Sequence, residues 1–505
     1  MSTSLLLGID IGTTETKGVL IDTDGAIVAD AAREATLYSE QPNWAEEDPE
    51  QWWTNVGSIT RELIAKSGDR ADSIVGVGVS GMVPAMVLLD DDGNIIRRSI
   101  QQNDARTARQ IEQVRGEYDP ERFFAITGGS INQQVVPPKA RWLHEHEPET
   151  MARLGTLLGS YDFVNYRLTG VRGVDRNWAL ESGLFDIAAE EWSAELIELA
   201  RLQPSQLPPI HASHEVIGSV TLEAAAITGL SASTPVVAGA ADHVASAFAT
   251  TAYEDGDLVI KFGGAGDILY SLDRLVTDPR LFIDYHLVPG KYYLNGCMAT
   301  SGSLVKWLVR NFCASDAEAA ARLGQDVYAY LDERAADLPA GAQGLVVLPY
   351  FLGEKTPLHD PHARGTIVGL GLHHTRHHLF RAVLEAVAYG FRHHVDVLRE
   401  RGLEIRRVLA ADGGARSDLW LQIAADVLGH PVERIANHPG SSLGAAIAAG
   451  VGTGALPDWR SVERYVHPSR TFHPNEANAA VYDDIYAVYR ETYARLADLF
   501  PRLPR

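Results

Sequence analysis

Cysteine is scarce in this sequence: the 505 residues include only two, Cys297 and Cys313. So low a content argues against a disulfide scaffold and fits a reducing compartment, and we therefore expect a cytoplasmic protein. Basic residues are also in deficit: 44 Lys and Arg stand against 66 Asp and Glu, a net charge of −22. A chain this acidic is a poor partner for nucleic acid or an anionic membrane, and we expect neither.

The sequence also lacks long hydrophobic runs. The apolar run Leu5–Ile11 follows no basic segment and is too short for a signal peptide or a membrane span. The alanine-rich run Ser441–Gly450 is too short to span as well. What is present is a globular composition, with 46% hydrophobic and 22% charged residues. Because 505 residues exceed what one hydrophobic core organises, we expect two or three domains.

The segment Leu5–Asp24 has the pattern of a β-hairpin. Two short apolar runs, Leu5–Ile11 and Gly18–Ile21, are joined by a turn of small and hydroxyl residues. Asp10 is the one charge within the first run, and a lone buried carboxylate is costly unless it is paired or faces a cation. We therefore expect Asp10 to face an opening and to lie near a Mg²⁺; the alternative is a solvated carboxylate at an ordinary turn.

The turn of this hairpin has the composition of a phosphate cradle. Glycine lets backbone approach a ligand, and hydroxyls, amides and a lysine attract phosphate; the residues are Gly12, Thr13, Thr14 and Lys17. The spacing is not that of a Walker A loop. The pattern alone leaves the phosphate cradle and the ordinary hairpin equally open.

The same pattern returns in Asp257–Leu272, where an apolar strand, a glycine-rich turn and a second apolar strand follow one another. Periodicity and turn position match the first hairpin, although the residues do not. We interpret this as an internal duplication with a boundary near residue 250, giving an N-terminal domain 1–250 and a C-terminal domain 251–505 that ends in a helix. Strands and helices alternate around both hairpins, so the predicted fold class is α/β with mixed sheets.

Several other segments carry expectations of local structure. Apolar residues at helical spacing predict helices over Arg153–Leu168, Ala317–Glu333 and Thr375–Arg399, and Arg176–Asp186 is predicted to be a loop. Six histidines resemble a metal cluster: His373, His374, His377, His378, His393 and His394. Adjacent pairs on a helix cannot all converge, so we expect a solvated face rather than a metal site.

Asp242 follows the predicted strand Val236–Ala238 and begins a helix. The plain interpretation is helix capping, which Asp often provides. The functional interpretation is a base that deprotonates a substrate hydroxyl, because the carboxyl end of a strand and the start of a helix suit a ligand site.

Two further glycine turns follow predicted strands. Gly263 and Gly264 would bring backbone amides to phosphate oxygens, and the turn Gly413–Gly414–Ala415 would let an adenosine lie against the backbone. Each turn is weak support for a nucleotide site when it is taken alone.

Together and in order, these segments resemble the FGGY family of carbohydrate kinases, and within it the xylulokinase-like, pentulose kinase branch. The resemblance covers nearly the whole chain. GIDIGTTETKGVLID resembles the first phosphate motif, WAEEDPEQWW the early Trp-acidic segment, and AGAADHVASA the segment with the catalytic Asp. GEKTPLHDPHARGTIVGL resembles the C-terminal signature, and DGGARSDLWLQIAADVLGHPV with GSSLGAAIAAG resembles the adenosine motif.

The resemblance implies two ribonuclease-H-like (actin-like ATPase) domains with the nucleotide in the interdomain cleft. It implies that the γ-phosphoryl group of ATP, with Mg²⁺, is transferred to a sugar or polyol hydroxyl, with Asp242 as general base and Asp10 as the metal-side carboxylate. Residues that it places at the nucleotide are Gly12, Thr13, Thr14, Lys17, Gly263, Gly264, Gly413, Gly414, Ala415 and Ser417. It leaves a homodimer open.

Three positions depart from the pentulose kinase pattern on the sugar side. Val83-Pro84 stands where a Met-His pair is usual, Gln102 stands where Trp is usual, and His243 follows the base where Asn or Gln is commoner. The residues expected to contact the sugar are Met82, Val83, Gln102, Asp104, Asp242 and His243. We expect a pentulose such as D-xylulose; a polyol such as glycerol or erythritol, or another ketose, is the alternative. A non-catalytic nucleotide-binding regulator of the actin-like fold is the alternative from a different class.

Overall fold

The computed structural model describes residues 4–435 and 438–504, which form two compact units. The first unit comprises Met1–Thr251, Ile283–Tyr293 and His438–Val466, and the second comprises Ala252–Phe282, Leu294–Asn437 and His467–Arg505. The chain first changes unit at Thr251, next to the expected boundary. Two later segments, Ile283–Tyr293 and His438–Val466, belong to the first unit again. The expected boundary at a single point therefore does not describe the two units fully.

The first unit contains a mixed sheet built around the N-terminal hairpin. Its strands lie in the order Val216–Ser219, Pro235–Val237, Ile74–Gly81, Leu5–Ile11, Glu15–Asp22 and Ile27–Glu34, and Ala240–Ala241 also pairs with Ile74–Gly81. Leu5–Ile11 pairs antiparallel with Glu15–Asp22 and parallel with Ile74–Gly81, so the predicted hairpin is confirmed. The strand is apolar because it is central in the sheet, and Leu5, Leu7 and Ile9 are fully buried.

Helices and short strand pairs surround this sheet. The helices are Pro49–Lys66, Ala108–Glu117, Pro120–Thr127, Val136–His146, Pro148–Ala152, Ser160–Thr169, Arg176–Glu181, Ala194–Leu199, Leu222–Thr228, Asp242–Phe248 and Ser441–Gly452. The short strands are Glu46–Glu47, Val87–Leu89, Ser99–Ile100, Thr156–Leu158, Val174–Asp175, Phe185–Asp186, Glu191–Trp192 and Ile210–His211. Among the described residues, no helix has the length and apolar content needed to cross a bilayer.

Two local predictions in the first unit are wrong. The expected helix Arg153–Leu168 is a strand, Thr156–Leu158, and a later helix, because the Gly159 amide donates to Asp162 and a new helix begins there. The expected loop Arg176–Asp186 begins with the helix Arg176–Glu181. Asp175 starts that helix by accepting a hydrogen bond from the Asn177 amide.

The helix Ser441–Gly452 packs against the first sheet at very short range. A methyl group placed on Gly8 would lie 1.8 Å from the Ser442 carbonyl oxygen, so glycine is required in the strand for the helix to fit. The GSSLGAAIAAG segment was expected to join the adenosine motif of the second domain. It belongs instead to the first unit.

The second unit repeats the hairpin architecture. Its sheet contains, in order, Tyr292–Met298, Gly266–Leu272, Asp257–Phe262, Arg407–Ala411, Val432–Ile435 and Pro468–Phe472. Asp257–Phe262 pairs antiparallel with Gly266–Leu272 and parallel with Arg407–Ala411. Each unit therefore has an antiparallel hairpin whose first strand pairs in parallel with a later strand, as the duplication predicts.

The helices of the second unit are Gly302–Phe312, Ala314–Arg322, Val327–Ala336, Arg376–Glu400, Asp418–Leu428 and Glu476–Leu496, and further strands are Val346–Leu348 and Thr366–Val368. The strand Phe282–Tyr285 belongs to the first unit from Ile283 onward. The predicted helix Ala317–Glu333 is therefore two helices. The second of them starts at Asp326, whose side chain accepts hydrogen bonds from the Tyr328 and Ala329 amides.

The expected solvated histidine face is wrong for three of the six residues. His378, His393 and His394 are buried in the helix Arg376–Glu400. The His394 ring lies 2.8 Å from the Thr356 hydroxyl and 2.8 Å from the Gly390 carbonyl oxygen. Burial of these side chains serves packing and internal hydrogen bonds.

Candidate active site

Asp10 lies near the end of the central strand of the first sheet, directly opposite Ser80 on the neighbouring parallel strand. The Ser80 hydroxyl donates a hydrogen bond to Asp10 Oδ1 over 3.0 Å. Desolvation raises the pKa of Asp10 to about 6, and the negative charge of Asp242 adds to the shift, against smaller opposing effects of Ser441, Ser80 and Lys17. A carboxylate with so displaced a pKa beside a second carboxylate suits a functional site better than a structural one.

The turn after this strand leaves polar side chains at the surface. The Gly12 amide donates to the Glu15 carbonyl oxygen over 3.2 Å. Thr13 is half-buried, and Thr14 and Lys17 are exposed. Lys17 pairs with the Glu15 carboxylate at 2.9 Å. The hydroxyls and the lysine are therefore placed where a phosphate group could meet them.

Asp242 lies at the same edge of the sheet as Asp10. It directly follows the short strand Ala240–Ala241, in which Ala240 pairs with Ser80. Its side chain is 37% exposed, and its Oδ1 accepts a hydrogen bond from the His243 amide over 2.6 Å. The N-cap position of the following helix is Ala241, so capping does not account for the carboxylate at Asp242.

His243 connects Asp242 to two acidic residues that the sequence did not reveal. Its Nε2 lies 3.0 Å from Asp284 Oδ2 and 3.7 Å from Glu181 Oε1, and its Nδ1 lies 3.4 Å from Asp242 Oδ1. Burial lowers the pKa of His243, but the charge of Asp284 and the bonds to Asp242 and Asp284 outweigh it, so the pKa lies well above its usual value. The ring is therefore an imidazolium at neutral pH.

The two acidic neighbours of His243 are Glu181 and Asp284. Burial, followed by the charge of Asp284, raises the pKa of Glu181 well above its usual value. Asp284 is 1% exposed. Within residues 4–435 and 438–504, Glu181, His243 and Asp284 are the one group of three acidic or metal-binding side chains whose ligand atoms lie within 4.8 Å of one another. The 3.0 Å between Nε2 and Asp284 is a hydrogen-bond distance, so a shared proton accounts for the group without a metal.

The remaining residues that were predicted to contact the sugar lie in two separate segments. Met82 and Val83 follow the strand Ile74–Gly81 and are 1% and 5% exposed, and the Met82 sulfur lies 3.7 Å from the Thr13 hydroxyl. Gln102 is half-buried in a different loop. Asp104 is fully buried and accepts hydrogen bonds from the Ala45 amide at 2.6 Å and from Arg106 Nη2 at 2.7 Å. Asp104 is thus placed to hold its loop.

The second unit contains a cavity of about 810 Å³. It is lined by Phe262, Gly263, Gly264, Gly302, Val305, Lys306, Asp326, Tyr328, Ala329, Asp332, Phe380, Leu384, Gly413, Gly414, Arg416, Ser417 and Trp420. Five of the predicted nucleotide residues are among them: Gly263, Gly264, Gly413, Gly414 and Ser417. Ala415 is 2% exposed, and its carbonyl oxygen accepts a hydrogen bond from Arg434. It lies behind the cavity wall.

The lining of this cavity suits a nucleotide. Phe380, Leu384 and Trp420 offer apolar surface to a base, and Lys306 and Arg416 offer positive charge to phosphates. Sequence reasoning did not single out these side chains. Lys306, Phe380 and Leu384 come from helices far from the glycine turns along the chain and become their neighbours only in the folded unit. Arg416 and Trp420 lie within the segment that resembles the adenosine motif.

Comparisons with known proteins give two family matches along the chain. Residues 5–249 match the model of the FGGY family of carbohydrate kinases, N-terminal domain, and residues 278–453 match that of the C-terminal domain. The crystal structure of xylulose kinase from Rhodospirillum rubrum is 48% identical, with a TM-score of 0.92, and the match covers 98% of this chain and 99% of that one.

Two curated relatives show the range of sugars among similar proteins. A xylulose kinase of Bacillus subtilis is 29% identical over 98% of this chain and 97% of its own length. A gluconokinase of Bacillus licheniformis is 27% identical over 96% of this chain and 95% of its own. The predicted α/β fold and the predicted kinase class are confirmed. The chain belongs to the FGGY family of carbohydrate kinases.

Proposed function

We propose that this protein transfers the γ-phosphoryl group of MgATP to a hydroxyl of a neutral ketose, with D-xylulose as the first candidate. The observation that carries the proposal is the carboxylate of Asp242, which stands partly exposed at the sheet edge that also holds Asp10. The similarity of the chain to xylulose kinases supports the choice of sugar.

Asp242 is proposed as the general base. It accepts the proton of the sugar hydroxyl as the hydroxyl oxygen forms its bond to the γ-phosphorus and the bond from phosphorus to the β,γ-bridging oxygen breaks, which releases ADP. The carboxylate suits this role because its position at the first residue of a helix favours negative charge and leaves oxygen accessible to a ligand.

Asp10 is proposed to lie on the metal side. Mg²⁺ prefers carboxylate oxygen, and Asp10 is a carboxylate whose pKa is raised first by desolvation and then by the negative charge of Asp242. These residues therefore fit a divalent cation. When bound with ATP, the ion neutralises charge on the phosphate oxygens. Thr13, Thr14 and Lys17 in the adjacent turn are proposed to contact the phosphates.

The cavity of the second unit is proposed to hold the nucleoside part of ATP. Its apolar walls suit the adenine ring, and its glycine turns let ribose and phosphates approach backbone amides. Gly263, Gly264, Gly413, Gly414 and Ser417 are the residues proposed to make these contacts.

Charge favours a neutral substrate over a sugar acid. The charged side chains around the base are more often negative than positive: Asp10, Asp242 and Asp284 are acidic, and His243 and Lys17 are the cations that act on them. A carboxylate on the substrate would be repelled by such a site. A polyol remains the second candidate, because Val83-Pro84 stands where the pentulose kinase pattern has a Met-His pair and so removes a hydrogen-bonding group.

The test is a substrate panel with sugar-dependent ADP release as readout. D-xylulose, L-xylulose, D-ribulose, erythritol, glycerol and gluconate are compared by kcat/KM at fixed MgATP. Highest turnover on D-xylulose supports the proposal, and highest turnover on erythritol or glycerol establishes the polyol alternative. Asp242→Asn is expected to lower kcat by about 10²- to 10⁴-fold, as loss of a general base does. Unchanged kcat in that variant would reject Asp242 as the base.

The cellular setting is proposed from cysteine chemistry. Cys297 and Cys313 are both free thiols, which fits a reducing cytoplasm.

A further inference from the structure

We propose that His243 is the positioning residue of the catalytic base: its ring, held on one side by Asp284, fixes the Asp242 carboxylate on the other side. This inference rests on the proposed function, in which Asp242 takes the proton of the sugar hydroxyl. It adds a residue that acts through the base and gives a reason for the histidine at this position.

The anchor of the ring is a buried carboxylate. Asp284 comes from the strand Phe282–Tyr285, is 1% exposed, and lies 3.0 Å from His243 Nε2. An ionised carboxylate in so buried a place is costly unless a cation meets it. The imidazolium of His243 supplies that cation, so the ring and Asp284 hold each other in place.

Glu181 completes the anchor from a third element, the helix Arg176–Glu181. Its Oε1 lies 3.7 Å from His243 Nε2, which is beyond a hydrogen bond. Burial and the charge of Asp284 raise the pKa of Glu181 well above its usual value, and its side chain is hydrogen-bonded to Asp284. Asp284 therefore contacts His243 on one side and Glu181 on the other, and these two contacts hold its carboxylate against the ring.

The opposite side of the ring faces the base. Nδ1 of His243 lies 3.4 Å from Asp242 Oδ1, and the amide of the same residue donates to that oxygen over 2.6 Å. One residue thus fixes the Asp242 carboxylate through its backbone and places a positive charge beside it.

The positive charge of His243 matters at Asp242 because the nearby charge of Asp10 is negative. The negative charges of Asp10 and Asp242 repel each other, which favours protonation of either one. A base that is protonated cannot accept the hydroxyl proton. His243 offsets this repulsion at Asp242, while Lys17 acts on the Asp10 side. The groups that set the charge of the base are therefore Asp10, Asp284, Glu181, His243 and Lys17.

The first test is the pH dependence of kcat/KM for the sugar, measured with saturating MgATP from pH 5 to pH 9. His243→Asn and His243→Gln remove the charge but keep a polar side chain. We expect the acidic limb of both profiles to move to higher pH, with activity recovering toward wild type at high pH, because a positive charge beside a carboxylate favours its charged form and both variants remove that charge. A purely structural role predicts equal loss at every pH and an unmoved limb, and this result would overturn the proposal.

A charge-retaining variant serves as the control. His243→Lys restores a cation at the same position, so its acidic limb should lie closer to that of the wild type than the limb of His243→Asn does. If the two variants have the same limb, charge at this position does not act on Asp242. Thermal unfolding of each variant identifies any that fails to fold.

A second measurement needs no variant. In wild-type protein labelled with ¹⁵N-histidine, one doubly protonated ring is expected to persist at pH 8, where histidines of ordinary pKa are neutral. Burial lowers the pKa of His393 to about 2 and that of His394 to about 4, so these rings do not contribute. A spectrum in which every ring is neutral at pH 8 overturns the inference. Absence of turnover on every sugar would reject the proposed function, whereas the state of this ring is read independently of turnover.

Discussion

The Ser80 hydroxyl donates a hydrogen bond to the Asp10 carboxylate over 3.0 Å, and the two residues are register partners on parallel strands. The same hydroxyl lies 3.2 Å from the Ile9 carbonyl oxygen. The hydrogen bond lowers the pKa of Asp10, yet desolvation and the charge of Asp242 leave it raised to about 6. Asp10 therefore weakens the ligand-free fold at neutral pH, as residues retained for function often do.

Asp10→Asn is expected to stabilise the ligand-free protein while it removes activity. The folded-state pKa of about 6 lies above the ordinary value of 3.8, so ionised Asp10 lowers the free energy of unfolding at any pH above about 4. At pH 8 the substitution should raise that free energy by about 1 to 2 kcal/mol, a figure reduced for partial exposure. The gain should vanish below about pH 4, where the carboxyl is protonated in both states. Urea unfolding at pH 8 and pH 4 measures both.

The matched control for this variant is Asp30→Asn, because Asp30 lies on the third strand of the same sheet with an exposed side chain. It should leave both unfolding and sugar-dependent ADP release unchanged. A lower free energy of unfolding for Asp10→Asn at pH 8 would contradict the assignment of Asp10 as a strained, functional carboxylate.

Local patterns in the sequence predicted much of the fold around the hairpins. The run Leu5–Ile11 followed by small residues led to a confirmed hairpin, and the run Asp257–Leu272 led to its counterpart. Both succeed because strand periodicity and turn residues lie within about twenty neighbouring positions. The short strand Thr156–Leu158 was missed, because a run of three residues, Thr-Leu-Leu, fits a helix or a strand equally well.

The contacts that distant segments make with each other at the site could not be predicted from the sequence. Asp284 reaches His243 from 41 positions along the chain, and no local motif indicates it. The same holds for the helix Ser441–Gly452, because its sequence does not indicate the sheet on which it packs. Family resemblance led to the proposed base and the proposed phosphate turn, and the folded structure was needed to find the residues beside Asp242.

Two neighbouring glycines in the nucleotide cavity should respond differently to substitution. A methyl group on Gly413 meets no atom within 4 Å, so Gly413→Ala should keep the fold and extend into the cavity. We expect KM for ATP to rise by about tenfold with KM for the sugar unchanged, since accommodating an added methyl typically costs about 1 to 3 kcal/mol. Initial-rate kinetics with each substrate varied in turn measure this.

Gly414→Ala is the matched comparison. Its methyl group would lie 2.6 Å from the Trp420 ring and 2.7 Å from Phe262, so the cost falls on the fold. The free energy of unfolding should drop by about 1 to 3 kcal/mol. If Gly413→Ala destabilises the protein as much as Gly414→Ala does, the open space at Gly413 is not the nucleotide site.

Sugar acids are expected to be poor substrates. Gluconate would bring a carboxylate to a site that already holds Asp10, Asp242 and Asp284, and like charges at short range cost several kcal/mol, so kcat/KM should fall at least about tenfold below that of the best neutral ketose. The comparison uses the same ADP-release assay at low and at 0.5 M salt, because screening weakens repulsion between charges that solvent reaches. Gluconate turnover equal to that of D-xylulose would show that charge does not select the substrate.

Asp278 in the second unit is expected to contribute stability that depends on pH. It is 2% exposed and accepts hydrogen bonds from Arg280 Nε at 2.9 Å and from Arg401 Nε at 2.6 Å. Burial acts to raise the pKa of Asp278, but the bonds from Arg280 and Arg401 outweigh it and hold the pKa well below its usual range. A lowered folded-state pKa means that the stabilisation is present above about pH 4 and is lost as the pH falls further.

Asp278→Asn should therefore lower the free energy of unfolding at pH 7 by about 2 kcal/mol, because two guanidinium groups lose a charged acceptor and are themselves partly exposed. At pH 3 the difference from wild type should shrink, since Asp278 then begins to take up a proton in the unfolded chain. Urea unfolding at both pH values measures the two differences. Asp273→Asn, at an exposed position a few residues earlier, should have no effect at either pH. Equal destabilisation by Asp278→Asn at pH 7 and pH 3 would mean that packing, rather than charge, is what the Asp278 side chain provides.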